Sequence, residues 1–119
     1  MAQAFPIRAT AQYVHMSPQK VRLVLDAVRG MAADQALAVL RAMPKAAARP
    51  VARVVRSAIA NGEENFGVSR EDLYVQTIYA GEGPTRKWRR FGARGRFKPQ
   101  LRRSSHITVV LAEREGARE

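Results

Sequence analysis

Three observations predict an α+β fold. The residues up to Val14 alternate apolar and polar with the two-residue period of a strand, three helical periodicities follow between Ser17 and about Glu64, and two more strand-like stretches lie at Leu73 to Ala80 and Ser105 to Ala112. The 119 residues suit a single domain, 1–119, with one core. They are too few for a two-domain enzyme with an interdomain cleft.

The first strand, Phe5 to Val14, is read with Ile7, Ala9, Ala11 and Tyr13 on one face and Arg8, Thr10 and Gln12 on the other. Ser17-Pro18 then provides an N-cap hydroxyl and a proline at the first helical position, where its missing N–H costs nothing. Val21, Val24, Leu25 and Val28 follow at helical spacing, and Gly30 stands where a left-handed C-terminal residue is wanted. A second helix begins at Ala33-Asp34, carries Leu37, Leu40 and Met43, and is limited by Pro44. The third runs from Lys45 to about Glu64, with Val51, Val54, Val55, Ala58 and Ile59 on its apolar face. At 100° per residue Lys45, Arg49, Arg53 and Arg56 share the opposite face. Pro50 either kinks this helix or delays its start. Asn61-Gly62 and Asn65 to Gly67 read as breakers. Beyond them Leu73 to Ala80 is rich in Tyr, Val, Thr and Ile, and Ser105 to Ala112 sets Ile107, Val109 and Leu111 opposite His106, Thr108 and Val110.

Net charge is +11, and it is unevenly placed. Residues 1–81 carry +4 and residues 107–119 carry −1, whereas residues 82–106, with nine basic side chains and one acidic, carry +8. So dense a charge repels itself in water and calls for a polyanionic partner. The 23 residues from Gly81 to Arg103 have no core periodicity, and a loop of that length is normally functional or disordered. Strands at both ends favour antiparallel pairing. Arms of about 11 residues at ~3.3 Å each would carry the tip some 35 Å from the sheet.

Within that loop Arg86, Lys87, Arg89, Arg90, Arg94, Arg96, Lys98, Arg102 and Arg103 are interleaved with Trp88, Phe91 and Phe97. Cations neutralise phosphates and release counterions, while aromatic planes stack on unpaired bases, so the combination suits nucleic acid. The apolar residues are too few, and form no helical face, for a membrane surface. Further candidate phosphate contacts are Lys45, Arg49, Arg53 and Arg56 on the third helix and Lys20 and Arg22 on the first. Asp26 lies four residues after Arg22 and three before Arg29, so part of the first helix's charge is open to internal pairing.

Catalysis finds no support. The chain has no cysteine, which excludes a disulfide framework, a thiol nucleophile, iron–sulfur clusters and every Cys-containing zinc pattern. His15 and His106 lack metal-ligand spacing, and Glu63-Glu64 and Glu71-Asp72 read as solvated segment ends. Gly81-Glu82-Gly83 lacks the third glycine and the βαβ context of a dinucleotide fingerprint. Ser57, Ser104 and Ser105 lack a nucleophile elbow. No run of about 18 apolar residues and no signal-peptide pattern occurs, so the chain reads as soluble and cytosolic.

A set of landmarks spans almost the whole chain in order: Ser17 to Val24 with Arg29-Gly30, Ser57-Ala58-Ile59-Ala60-Asn61, Glu82-Gly83-Pro84, Ala93-Arg94-Gly95-Arg96, and Arg103 to Val110. In these the chain closely resembles the bacterial large-subunit ribosomal protein twenty-two family. The resemblance implies three helices packed on a small three-stranded antiparallel sheet, with a globular part at 1–81 and 104–119 and a long protruding basic β-hairpin at about 82–103. It implies a structural, non-enzymatic role in the large ribosomal subunit: binding its rRNA, aiding assembly, and lining the nascent-peptide exit tunnel with the hairpin. Arg86, Lys87, Trp88, Arg89, Arg90, Phe91, Gly92, Ala93 and Arg94 would form the tip region, and Arg96, Lys98, Arg102 and Arg103 would contact rRNA from the arms. The implied partners are large-subunit rRNA, neighbouring large-subunit proteins and the nascent polypeptide, in the cytoplasm, with no cofactor, metal, membrane or small-molecule substrate. Gly62 departs from the family, in which Ala often follows the Asn. The competing reading is a DNA-binding regulator using the basic third helix or a β-ribbon. It requires discrimination among duplex sites and usually dimer symmetry.

Overall fold

A computed structural model describes residues 7–91 and 97–113. The elements are β1 (Ile7–Val14), α1 (Pro18–Val28), α2 (Ala33–Ala42), α3 (Ala48–Phe66), a 3-10 turn (Arg70–Asp72), β2 (Leu73–Glu82), β3 (Arg86–Phe91), β4 (Phe97–Arg102) and β5 (Ser105–Glu113). Three strands form an antiparallel sheet in the order β1-β5-β2, and the three helices pack against it, the architecture expected above. Val21 and Leu25 of α1, Leu37 and Leu40 of α2 and Val51, Val55 and Ile59 of α3 meet Leu73, Val75 and Ile78 of β2 and Ile107, Val109 and Leu111 of β5 in one buried cluster. Among the described residues β3 and β4 pair only with each other, from Arg86 opposite Arg102 to Phe91 opposite Phe97. Gly92, Ala93, Arg94 and Arg96, assigned above to the tip and arm, lie outside the described residues.

The elements follow local chemistry with three corrections, at Ser17, at Asn61-Gly62 and at Tyr13. Pro18 opens α1 as expected, but the Ser17 side chain makes no capping bond; the backbone carbonyl of Ser17 accepts from Val21 N–H at 3.3 Å instead. Gly30 takes φ +84° just after the helix, and its N–H donates to the Val75 carbonyl on β2 at 3.1 Å. Of the two alternatives for Pro50, the delayed start of α3 holds and the kink does not. The helix starts at Ala48, so Pro50 falls in the first turn, where no intrahelical acceptor awaits its nitrogen.

The second correction concerns Asn61-Gly62, which does not break α3; the helix runs on to Phe66 and ends at Gly67, φ +64°. Gly62 is buried where the helix comes closest to the sheet. A Cβ there would stand 3.1 Å from Leu73 Cδ1 and 3.2 Å from Ile7 Cδ1, so its missing side chain serves packing and not chain reversal. Asn61 Nδ2 donates to the Arg8 carbonyl at 3.1 Å, holding the same turn against β1.

Tyr13 is the third correction. Between Ala11, opposite Ile107, and Val14, opposite Ser105, β1 holds one residue more than β5. Such a bulge reverses the alternation beyond it. Tyr13 sits in the left-handed region at φ +58°, its side chain is 58% exposed, and Val14 turns toward the core in its place. Its N–H donates to His106 Nδ1 at 3.1 Å, and the two rings meet edge to face with centroids 5.0 Å apart.

Candidate nucleic-acid interface

The turn between α2 and α3 and the exposed side of α3 enclose an open groove of about 1040 Å3. Arg49, Arg53 and Arg56 line it because they lie four and then three residues apart, one above another on a helix. Lys45 lines it as well, from the turn that precedes α3 and not from the helix itself, its carbonyl accepting from Ala48 N–H at 3.1 Å. The sequence-derived stripe is thus assembled in space. Two more groove residues were not foreseen: Arg41 from the last turn of α2, and His15 from the segment after β1. Neither shares a periodicity with α3, so only the tertiary packing of three segments reveals them. Met16, Leu40, Met43 and Ala52 give the groove an apolar lining between the cations.

Among the described residues no carboxylate lines this groove. The ion pairs among the described residues lie elsewhere: Arg29 with Asp26 on α1, and Arg70 with Glu63 at 3.2 Å beyond the far end of α3. The Glu63 carboxylate, by hydrogen bond and charge, pushes the Arg70 guanidinium further up from its already high value. A groove walled by cations, with helix α3 fixing their spacing over about 10.5 Å from Arg49 to Arg56 at 1.5 Å per residue, can seat a run of phosphates without first breaking internal pairs.

Helix α1 uses its arginines differently. Arg22 Nη2 donates to the Ala80 carbonyl at 2.9 Å, and Arg29 Nη2 to the Ile78 carbonyl at 2.9 Å. Gly30 N–H and the Met31 carbonyl pair with Val75, and Ala32 bridges Tyr74. The outer edge of β2 is therefore engaged at Tyr74, Val75, Ile78 and Ala80, which makes it a poorer template for strand addition. Lys20 is exposed on α1 and does not line the groove. The structure thus separates Lys20 and Arg22 from the α3 set.

The arm cations fall on two paired strands: Arg86, Lys87, Arg89 and Arg90 on β3, Lys98 and Arg102 on β4, with Trp88 opposite Gln100 and Arg90 opposite Lys98. Arg103 is exposed in the link between β4 and β5. Like charges across a ladder are destabilising, so this pairing is poorly suited to stand in water without counter-charge. Among the described residues no group of His, Asp and Glu could hold a metal ion.

Residues 9–112 match the sequence profile described as ribosomal protein L22p/L17e. The chain is 52% identical over 107 residues to the large ribosomal subunit protein uL22 of Chloroflexus aggregans, covering 90% of this chain and 95% of that one. It is 51% identical over 108 residues to the protein of the same name from Thermoanaerobacter sp. strain X514, covering 91% and 97%, and 48% identical over 108 residues to that of Finegoldia magna, covering 91% and 96%. Matched from β1 through β5, and at about half of all positions, the chain belongs to the ribosomal protein L22p/L17e family.

Proposed function

We propose that this chain binds folded large-subunit rRNA through two basic surfaces, the α2–α3 groove and the β3–β4 arm, and that the arm reaches into the subunit to line the nascent-peptide exit tunnel. Membership of the family makes it a non-enzymatic structural protein of the large ribosomal subunit, residing in the cytoplasm within the ribosome. The observation that carries the finer reading is the concentration of +8 in residues 82–106, six of whose nine cations lie on β3 and β4, strands that among the described residues pair only with each other. The long axis of the molecule, 70 Å against 25 and 19 Å, supports an arm that extends away from the three helices and the three-stranded sheet; on this proposal the globular part is 1–81 and 104–119, with the arm at about 82–103.

Lys45, Arg49, Arg53 and Arg56, joined by Arg41, would hold backbone phosphates on the globular part. Arg86, Lys87, Arg89, Arg90, Arg94, Arg96, Lys98, Arg102 and Arg103 would do so along the arm, and residues from Arg86 to Arg94 would meet the nascent polypeptide. Cations delivered in this way screen phosphates that must approach one another as the RNA folds, which is how such a protein aids assembly. Cosedimentation with large subunits, retained at moderate salt, is the expected result. Equal affinity for duplex DNA and for structured large-subunit RNA at matched salt would overturn the proposal and favour a DNA-binding role.

A further inference from the structure

We propose that Gly83, Pro84 and Ser104 form a clasp that sets the heading at which the β3–β4 arm leaves the sheet, with Ser104 as the positioning residue. The inference deepens the arm's proposed role and rests on it, since a heading matters only if the arm must enter a fixed passage.

The main ladder ends with Glu82 opposite Ser105, and the arm's ladder begins with Arg86 opposite Arg102. Between them Gly83, Pro84 and Thr85 on one side face Arg103 and Ser104 on the other, so the β2–β3 side holds one residue more. An extra residue on one strand bends a ribbon and increases its twist, re-aiming whatever lies beyond. A bend alone can pivot. Here it is pinned by two hydrogen bonds: Gly83 N–H donates to the Ser104 carbonyl at 2.9 Å, and the Ser104 hydroxyl donates to the Pro84 carbonyl at 2.7 Å. Ser104 is only 7% exposed, although it lies at a junction between two ladders.

Steric fit adds a second constraint. A Cβ on Gly83 would stand 2.4 Å from Ser104 Oγ, 3.3 Å from the Ser104 carbonyl carbon and 3.3 Å from His106 Cε1. The hydroxyl therefore occupies the space that any side chain at position 83 would need, and the two strands approach as closely as they do because position 83 is glycine. Pro84, with its fixed φ, stiffens the longer side of the bulge and offers its carbonyl as the acceptor. At the neighbouring pair, Ser105 Oγ donates to the Met16 carbonyl at 2.6 Å, which ties the base of the clasp to the segment after β1.

The absence of cysteine allows spin labels to be placed without background. In a full-length Gln35→Cys/Gln100→Cys variant, labels on α2 and β4 should give one narrow distance distribution by pulsed electron paramagnetic resonance. Ser104→Ala should broaden or shift it while leaving the far-ultraviolet spectrum and cooperative unfolding of the globular part in place. Gly83→Ala should do the same, and the two substitutions together should not add, because removing Oγ relieves the closest clash. RNA affinity and its salt dependence should be unchanged in Ser104→Ala, since no charge is altered, whereas incorporation into large subunits should fall several-fold. Distributions identical in Ser104→Ala, Gly83→Ala and the parent would overturn the clasp, as would a parent distribution as broad as those of the variants. Failure of the parent protein to bind large-subunit RNA overturns the functional reading instead, and leaves the distance result to judge the clasp.

Discussion

Arg22 on α1 and Arg29 just past its end lie seven residues apart, and Arg49 and Arg56 on α3 have the same interval, yet the two pairs do unlike things. The α1 pair donates to the Ala80 and Ile78 carbonyls and closes the free edge of β2. The α3 pair, with Arg53 and Lys45, lines a groove to which the described residues bring no carboxylate. A guanidinium on a helix is thus a structural donor or a free cation according to what the helix is packed beside, and α1 lies beside a sheet edge while the basic side of α3 does not. Cations in the first position brace the fold, and cations in the second are, in the reading proposed above, the ones that meet the RNA.

That contrast is exposed to direct test. Replacing Arg49, Arg53 and Arg56 together by Gln should have the largest effect. With about 0.7–0.9 lost per phosphate contact, the slope of log affinity against log salt should shrink by about 2–3, and RNA affinity should fall on the order of 100-fold near 0.1 M salt. Thermal unfolding should hardly move, because these side chains are exposed. Arg22→Ala with Arg29→Ala should behave in the opposite way, lowering unfolding free energy by about 1–3 kcal/mol through loss of two charge-assisted bonds while leaving the salt slope alone. If urea titration shows no loss, the edge-closing role falls. On the sheet's other edge, Asn61→Ala should cost about 1 kcal/mol by freeing the Arg8 carbonyl, showing that an uncharged donor can hold an edge equally well. Arg41→Gln should be the mildest: a salt slope smaller by about 1 and a few-fold weaker binding, with a slope equal to the parent's removing Arg41 from the groove's working set.

Much of the fold is legible in the sequence because it rests on local periodicity. The apolar residues assigned to α1 and to α3 are all buried, and Pro18, Gly30 and Gly67 mark boundaries by their own backbone constraints. What escaped was decided by partners distant in the chain. Tyr13 looked like a core residue until the register against β5 inserted a bulge, and Gly62 looked like a breaker until Ile7 and Leu73 claimed the space beside it. A similar bulge places Gln76 as the extra residue between Val75 and Thr77, with no mark in its own composition. The α3 stripe was readable from its spacing. Arg41 and His15 joined it through packing alone, and Arg22 was drawn off by a carbonyl 58 residues away.

The strand order β1-β5-β2 has a consequence for how the molecule comes into being. Its central strand is made last, so when a chain grows from the N-terminus both outer strands, all three helices and the charged arm exist before the strand that joins them. Thr10 must wait for Thr108, 98 residues later, before β1 can find its place. Pairings this distant carry a high loop-closure cost and form slowly. Completion of the sheet is therefore a late event in synthesis. Until it happens, the growing chain presents an exposed basic arm and two unpaired strands, a species that needs either shielding or rapid capture by its RNA.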